Sequence, residues 1–159
     1  MYNEITVLLM LSGYGIVYLF GFFRVQQLYF RKFNPSNANS AVLSLFLSSL
    51  IMSSLNLIHI SEIAADALRY FIANDSMARG LVFCLLFFLG MWVFSLVLFH
   101  ASFVLVGVMT RENEADELVK NNLSLALVHS IILLSLSIII APSLVKIAAD
   151  FIPYPKMPY

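Results

Sequence analysis

Leu81–Met109 reads LVFCLLFFLGMWVFSLVLFHASFVLVGVM, 29 residues with no Asp, Glu, Lys or Arg. A helix crosses a bilayer core with about 20 mostly apolar residues. This longer run predicts a membrane-spanning helix that tilts or protrudes into water. Three further runs carry no internal charge: Ile5 to Phe23, ended by Arg24; Ala41 to Ile60, ended by Ser61 and Glu62; and Leu123 to Ala141, ended by Pro142. The expected fold class is all-α, an integral membrane four-helix bundle in one domain over 1–159, with spans 5–23, 41–60, 81–109 and 123–141.

Composition leads to the same solvent. The chain is 61% apolar and 11% charged, against roughly 45–50% and about 25% in soluble domains. That excludes a cytosolic enzyme and a disordered tail, and makes the lipid bilayer the first partner. Nine basic residues balance nine acidic ones, so no cationic surplus exists for nucleic acid. Cys84 is the single cysteine, which excludes an intrachain disulfide or a Cys-based metal cluster. The start Met1-Tyr2-Asn3-Glu4 lacks a basic n-region, so the first run is expected to stay as a span. Four spans put both termini on one side. Loops 24–40 and 110–122 hold Arg24, Arg31, Lys32, Arg111 and Lys120, against Arg69, Arg79, Lys146 and Lys156 opposite. The basic excess predicts those loops in the cytoplasm and the termini on the outer face.

The linkers have their own patterns. In 61–72, Glu62, Asp66 and Arg69 share one helical face, which predicts a short interfacial helix lying on the membrane. Residues 111–120, RENEADELVK, read as a polar cytoplasmic turn whose acids face water; their spacing is not that of a calcium loop. The tail FIPYPKMPY, 151–159, has three prolines and cannot be helical throughout. Gly13, Gly15, Gly90 and Gly107 are expected to mark close helix crossings, though none forms a GxxxG pair.

Sliding the chain by 82 residues aligns the second and fourth runs, pairing Asn39 with Asn121, Ser48 with Ser130, Ser53 with Ser135 and Ser61 with Ser143. This predicts two helical-hairpin repeats, 5–60 and 81–142, parallel about the membrane normal and forming a pseudo-twofold bundle. The stretches Asn37-Ala38-Asn39-Ser40-Ala41-Val42 and Lys120-Asn121-Asn122-Leu123-Ser124-Leu125-Ala126 resemble the start of a span in the bacterial membrane family named domain of unknown function 350, a two-helix unit often paired in one chain. The resemblance covers residues 5–142 and departs where serines replace glycines in the second and fourth spans. It implies a bacterial inner-membrane protein linked to envelope stress, with no known activity and no catalytic residues.

Polar groups inside spans are functional candidates. His100 lies nine residues before the end of the third run, about 13 Å deep by helical rise, and His129 six residues into the fourth, about 9 Å deep from the same side. Matched depths make the two imidazoles candidate axial ligands for haem b, a proton or quinol site, or partners in a His–His or His–Ser packing contact. His59 reads as an interfacial residue. Ser40, Ser44 and Ser48 form one stripe of the second run, and Ser49, Ser53 and Asn56 the opposite one, with one stripe facing the bundle and the other a second protomer. Ser95 and Ser102 share a face of the third run near Cys84 and away from His100. Ser44, Ser48, Ser53, Asn56, Ser130 and Ser135 are therefore candidates for helix packing or for lining a polar path. No serine shows a His and an acid at one depth, so a catalytic triad is not expected. The function expected is a non-catalytic interaction or assembly subunit, a homo-oligomer or part of a membrane complex. The alternatives are a haem b electron-transfer or quinone-site anchor using His100 and His129, and an ion or small-solute channel with Asn56 as its deep amide.

Overall fold

The computed structural model describes residues 2–31, 39–74, 76–111 and 113–152. The chain forms α1 (Tyr2–Phe30), α2 (Ser40–Ala73), α3 (Met77–Thr110), α4 (Glu114–Val119) and α5 (Leu123–Ala149). α1, α2, α3 and α5 are the four helices long and apolar enough to cross a membrane. This all-α, four-helix build is that of a small multi-pass membrane protein.

Three of the helices, α2, α4 and α5, start where asparagines satisfy orphan backbone donors. Asn39 accepts from Val42 N at 3.0 Å, Asn113 from Ala115 N at 3.2 Å and Asn122 from Leu125 N at 3.1 Å. Arg111 closes α3 in the left-handed conformation, its N–H on Gly107 O. The helices also run past the boundaries expected from hydropathy. α1 continues through Arg24, whose guanidinium sits over the Phe20 ring and bonds Gln27 at the surface. A long cationic side chain reaches outward without ending the helix. α5 continues through Pro142 to Ala149. Proline removes one backbone donor, and the segment after it packs through Val145 and Ala148 on the Ala64, Leu68 and Cys84 cluster.

The stretch 61–72 is helical, but it is not a separate interfacial helix. It is the last third of α2, with Ile63, Ala64, Ala67, Leu68 and Phe71 buried in the bundle. Its polar face is where the sequence puts it: Arg69 bonds Asp66 and also Glu4 of α1. Of the tail, Phe151 and Ile152 are described, Ile152 being buried with Ile63 and Ala67; residues 153–159 lie outside the described residues, as do Asn37 and Ala38.

α2 is the central helix and packs on α1, α3 and α5; α3 also packs on α1 and α5, whereas α1 and α5 share no close approach among the described residues. A pseudo-twofold exchanging the hairpins α1–α2 and α3–α5 would map the α2–α3 interface onto α1–α5. The bundle is instead a rhombus with α2 and α3 on its short diagonal. The 82-residue register is not reproduced either: α5 is capped by Asn122, and Ser135 is exposed where Ser53 is buried. Lipid is as apolar as leucine, so packing is specified by small residues and polar contacts rather than by hydrophobicity alone. Ala41, Ala64, Ala67, Ala126 and Ala141 are accordingly fully buried. A Cβ added at Gly13 or Gly90 would meet nothing within 4 Å, and one at Gly15 would meet only Leu57 at van der Waals range. Among Gly13, Gly15, Gly21, Gly80 and Gly90, the tight crossing is Gly80, whose added Cβ would lie 3.1 Å from Phe71 Cβ.

Candidate functional site

Two buried polar centres lie between the helices. The first joins all four spans. Asn56 of α2 donates through Nδ2 to Ser95 Oγ of α3 at 2.9 Å, and Ser137 of α5 donates to Asn56 Oδ1 at 2.6 Å. Tyr18 of α1 meets Ser95 Oγ at 3.0 Å. Ser95 has one proton and gives it to Met91 O at 2.9 Å, so Tyr18 is the donor and Ser95 accepts twice. Every member is buried, Asn56 and Ser95 completely. Ser53, also fully buried, lies beside Tyr18 without a hydrogen bond of good geometry.

The second centre sits nearer the loop end. His129 of α5 is fully buried. Its Nε2 is 2.6 Å from Ser102 Oγ of α3, and its Nδ1 bonds Glu114 Oε1, the first residue of α4. Phe103 meets the imidazole edge-on at 4.4 Å between centroids, and Phe99 stacks at 6.2 Å. Ser102 also donates to Phe99 O at 2.7 Å. The His–Ser contact is one the sequence raised. Glu114 is the residue the sequence missed: the acids of 111–120 were expected to face water, yet Glu114 is 5% exposed. Asn113 as an N-cap ahead of three first-turn acids was the available signal for a short helix. That helix turns back over the bundle and points its first side chain inward.

A serine, a histidine and an acid thus stand in line, contrary to the sequence-based expectation. They do not form a nucleophilic site. Ser102 has no exposed surface and its hydroxyl is tied to Phe99 O, so no substrate carbonyl reaches it.

The two candidate haem ligands do not converge. His100 is exposed on the outer face of α3, with Nδ1 on Leu96 O at 2.8 Å and the Tyr29 ring 5.8 Å away. The Phe99 ring is 5.7 Å from its imidazole and 6.2 Å from that of His129. An axial ligand needs a free ring nitrogen, and both of His129 are bonded to protein. The pair therefore does not fit a bis-histidine haem. His59, expected at the end of the second span, is half-buried and lies well inside α2, which continues past it to Ala73.

The serine stripes divide by burial. Ser49, Ser53 and Asn56 face the interior as one stripe; Ser48 and Ser130 are also buried, Ser44 is half-buried, and Ser40 and Ser135 are exposed. Ser48 and Ser130 return their hydroxyls to their own helices, on Ser44 O and Ala126 O. Among the described cavities, a groove of about 190 Å³ between α1 and α3 is lined by Tyr14, Tyr18, Gly21, Phe88 and Trp92. Neither it nor the other described grooves is lined by Asn56, Ser102 or His129.

The loop end is stitched across the hairpins. Asn121, at φ 62°, accepts from Ser40 Oγ and from Ala41 N, each at 3.0 Å, while Asn39 donates to Leu118 O at the end of α4. Each asparagine of the pair matched by the apparent repeat thus bonds the segment that carries the other. Glu117 bonds Asn122 and Lys120, and those two contacts hold its carboxyl below the ordinary carboxylate range. Compared with protein families, curated proteins and solved structures, the chain matches none.

Proposed function

We propose that this chain is a non-catalytic assembly subunit of a bacterial cytoplasmic membrane, acting as a homo-oligomer or within a larger membrane complex. The observation that carries this reading is the Tyr18–Ser95–Asn56–Ser137 network, which ties the four spans at one level through buried hydrogen bonds. A conducting path needs polar groups free to exchange partners with water or ions. Here the deep amide is committed to helix–helix bonds, as in a rigid scaffold. The cytoplasmic-membrane location rests on the resemblance to domain of unknown function 350. The orientation, loops inside and termini outside, rests on the five-to-four distribution of Lys and Arg.

The test is the mass of the particle extracted into native-lipid nanodiscs. The expected result is a particle holding several copies or a stoichiometric partner. A single copy without a co-purifying protein, across lipid compositions and concentrations, sinks the proposal. Cation flux through liposomes containing the purified chain would favour the channel alternative instead.

A further inference from the structure

We infer that the groove between α1 and α2 at the loop end binds one anionic phospholipid, with its phosphate on Arg31 and an acyl chain along Phe23, Leu43 and Phe46. The groove encloses about 350 Å³ and is lined from α1 by Phe23, Gln27, Phe30 and Arg31 and from α2 by Leu43 and Phe46. Phe46 stands edge-on to both Phe23 and Phe30, at 5.5 and 5.8 Å between ring centroids, so three rings make an aromatic wall. Arg31 lies eight residues beyond Phe23, about 12 Å by helical rise. The groove therefore has a cationic end and an apolar end, separated as a headgroup is from the upper part of its chain. Phe23 is 37% and Leu43 54% exposed, so the apolar end opens onto lipid.

The polar groups of the groove select an anion. Arg24, Gln27 and Arg31 recur at i, i+3 and i+7 and share one face of α1. Gln27 Oε1 accepts from Arg24 at 3.2 Å, which leaves its NH2 as the amide group offered to an occupant. Arg31 makes no ion pair among the described residues. No acid occurs in sequence between Arg24 and Ser61. Of the α4 acids, Glu114 is engaged by His129, and Glu117 by Lys120 and Asn122. The last turn of α1 and the first turn of α2 both border the groove, and their opposite half-charges offset. The guanidinium therefore sets the sign. The groove that holds Glu4 and Arg69 differs, because those two neutralise each other. Arginine matches phosphate by geometry as well as charge, and basic pockets between spans take anionic headgroups. A free phosphate would leave the aromatic wall unused, and a neutral lipid would leave Arg31 unmatched. An anionic phospholipid uses both.

The experiment titrates the full chain, delipidated in mild detergent, with phosphatidylglycerol and with phosphatidylcholine of the same chains, and counts bound lipid by native mass spectrometry. The expected result is one phosphatidylglycerol held in preference to phosphatidylcholine. Arg31→Gln should weaken it about fivefold, the factor that ~1 kcal/mol per cation at an anionic surface produces. Arg79→Gln makes the same charge change at an exposed site outside the groove and should leave the affinity unchanged. Leu43→Trp fills the groove without altering charge and should also weaken binding. Equal affinity for the two lipids overturns the inference, as do equal losses in Arg31→Gln and Arg79→Gln, which would mean diffuse surface attraction. An unaffected Leu43→Trp overturns it as well, because the phosphate alone would then be bound. So does displacement of the lipid by a second copy of the chain as the protein concentration rises.

Discussion

Ser137 on α5 donates a 2.6 Å hydrogen bond to the side-chain carbonyl of Asn56 on α2, joining residues 81 apart in sequence at one depth of the bundle. The same amide reaches Ser95 through its nitrogen, so one side chain orients three helices, and Tyr18 adds the fourth.

Asn56→Leu leaves the Ser137 hydroxyl without its acceptor. A buried polar group left unmade costs about 1–3 kcal/mol, so the variant is expected to unfold earlier in an SDS titration. Ser137→Ala in turn leaves the buried Asn56 carbonyl without its donor, so its expected loss lies in the same range of about 1–3 kcal/mol. Equal stability of Asn56→Leu and wild type would remove the network from the account of this fold.

Gly80 tests the α2–α3 turn. A Cβ there meets Phe71 Cβ at 3.1 Å and Leu68 Cδ2 at 3.3 Å. Gly80→Ala gains up to ~1 kcal/mol of helix propensity against that contact and is expected to be near neutral. Gly80→Leu has no room, and overpacking should lower stability by about 1–3 kcal/mol. Gly90→Leu, with nothing within 4 Å, should be tolerated, with SDS titration as the assay for all three variants.

Ser130 and Ser135 separate interior packing from surface. Ser130 is 5% exposed, so Ser130→Leu should force α5 away from its neighbours and lower the melting temperature. Ser48→Leu should behave alike, at 8% exposure. Ser135 faces outward, and Ser135→Leu should leave monomer stability unchanged. If Ser135→Leu nevertheless changes the particle size in nanodiscs, that face is an assembly contact.

Glu117 gives the turn between α4 and α5 an acid limit. Asn122 first and Lys120 second hold its carboxyl below the ordinary value. A depressed carboxyl contributes stability that is full above the unfolded value, about 4.3, and is lost as pH falls through the lower folded one. Exchange at Asn122 and Leu123 should therefore accelerate in strong acid, and Glu117→Gln should make it insensitive to pH there.

Hydropathy reported the four spans well because membrane insertion is decided by local sums over about 20 residues. It reported their ends less well. Arg24 and Pro142 look like stops, yet a snorkelling cation and a packed neighbour let α1 and α5 continue. The stretch 61–72 has the amphipathic pattern of a surface helix, but the apolar side of that pattern is the face α2 turns to α1, α3 and α5.

By itself the sequence determined the solvent, the helical class, the number of spans and the asparagine-rich loop end. It also put Ser95, Ser102 and Cys84 on one face, opposite His100, as observed. Tertiary structure alone decided which polar groups meet. These helices are apolar on the lipid side and on the core side, so no amphipathic stripe announces their rotation. The partners of Asn56, the opposite directions of His100 and His129, and the entry of Glu114 from a polar turn all follow from helix rotation and register. Those are fixed by small-residue packing between segments distant in sequence, a property no local window of residues contains.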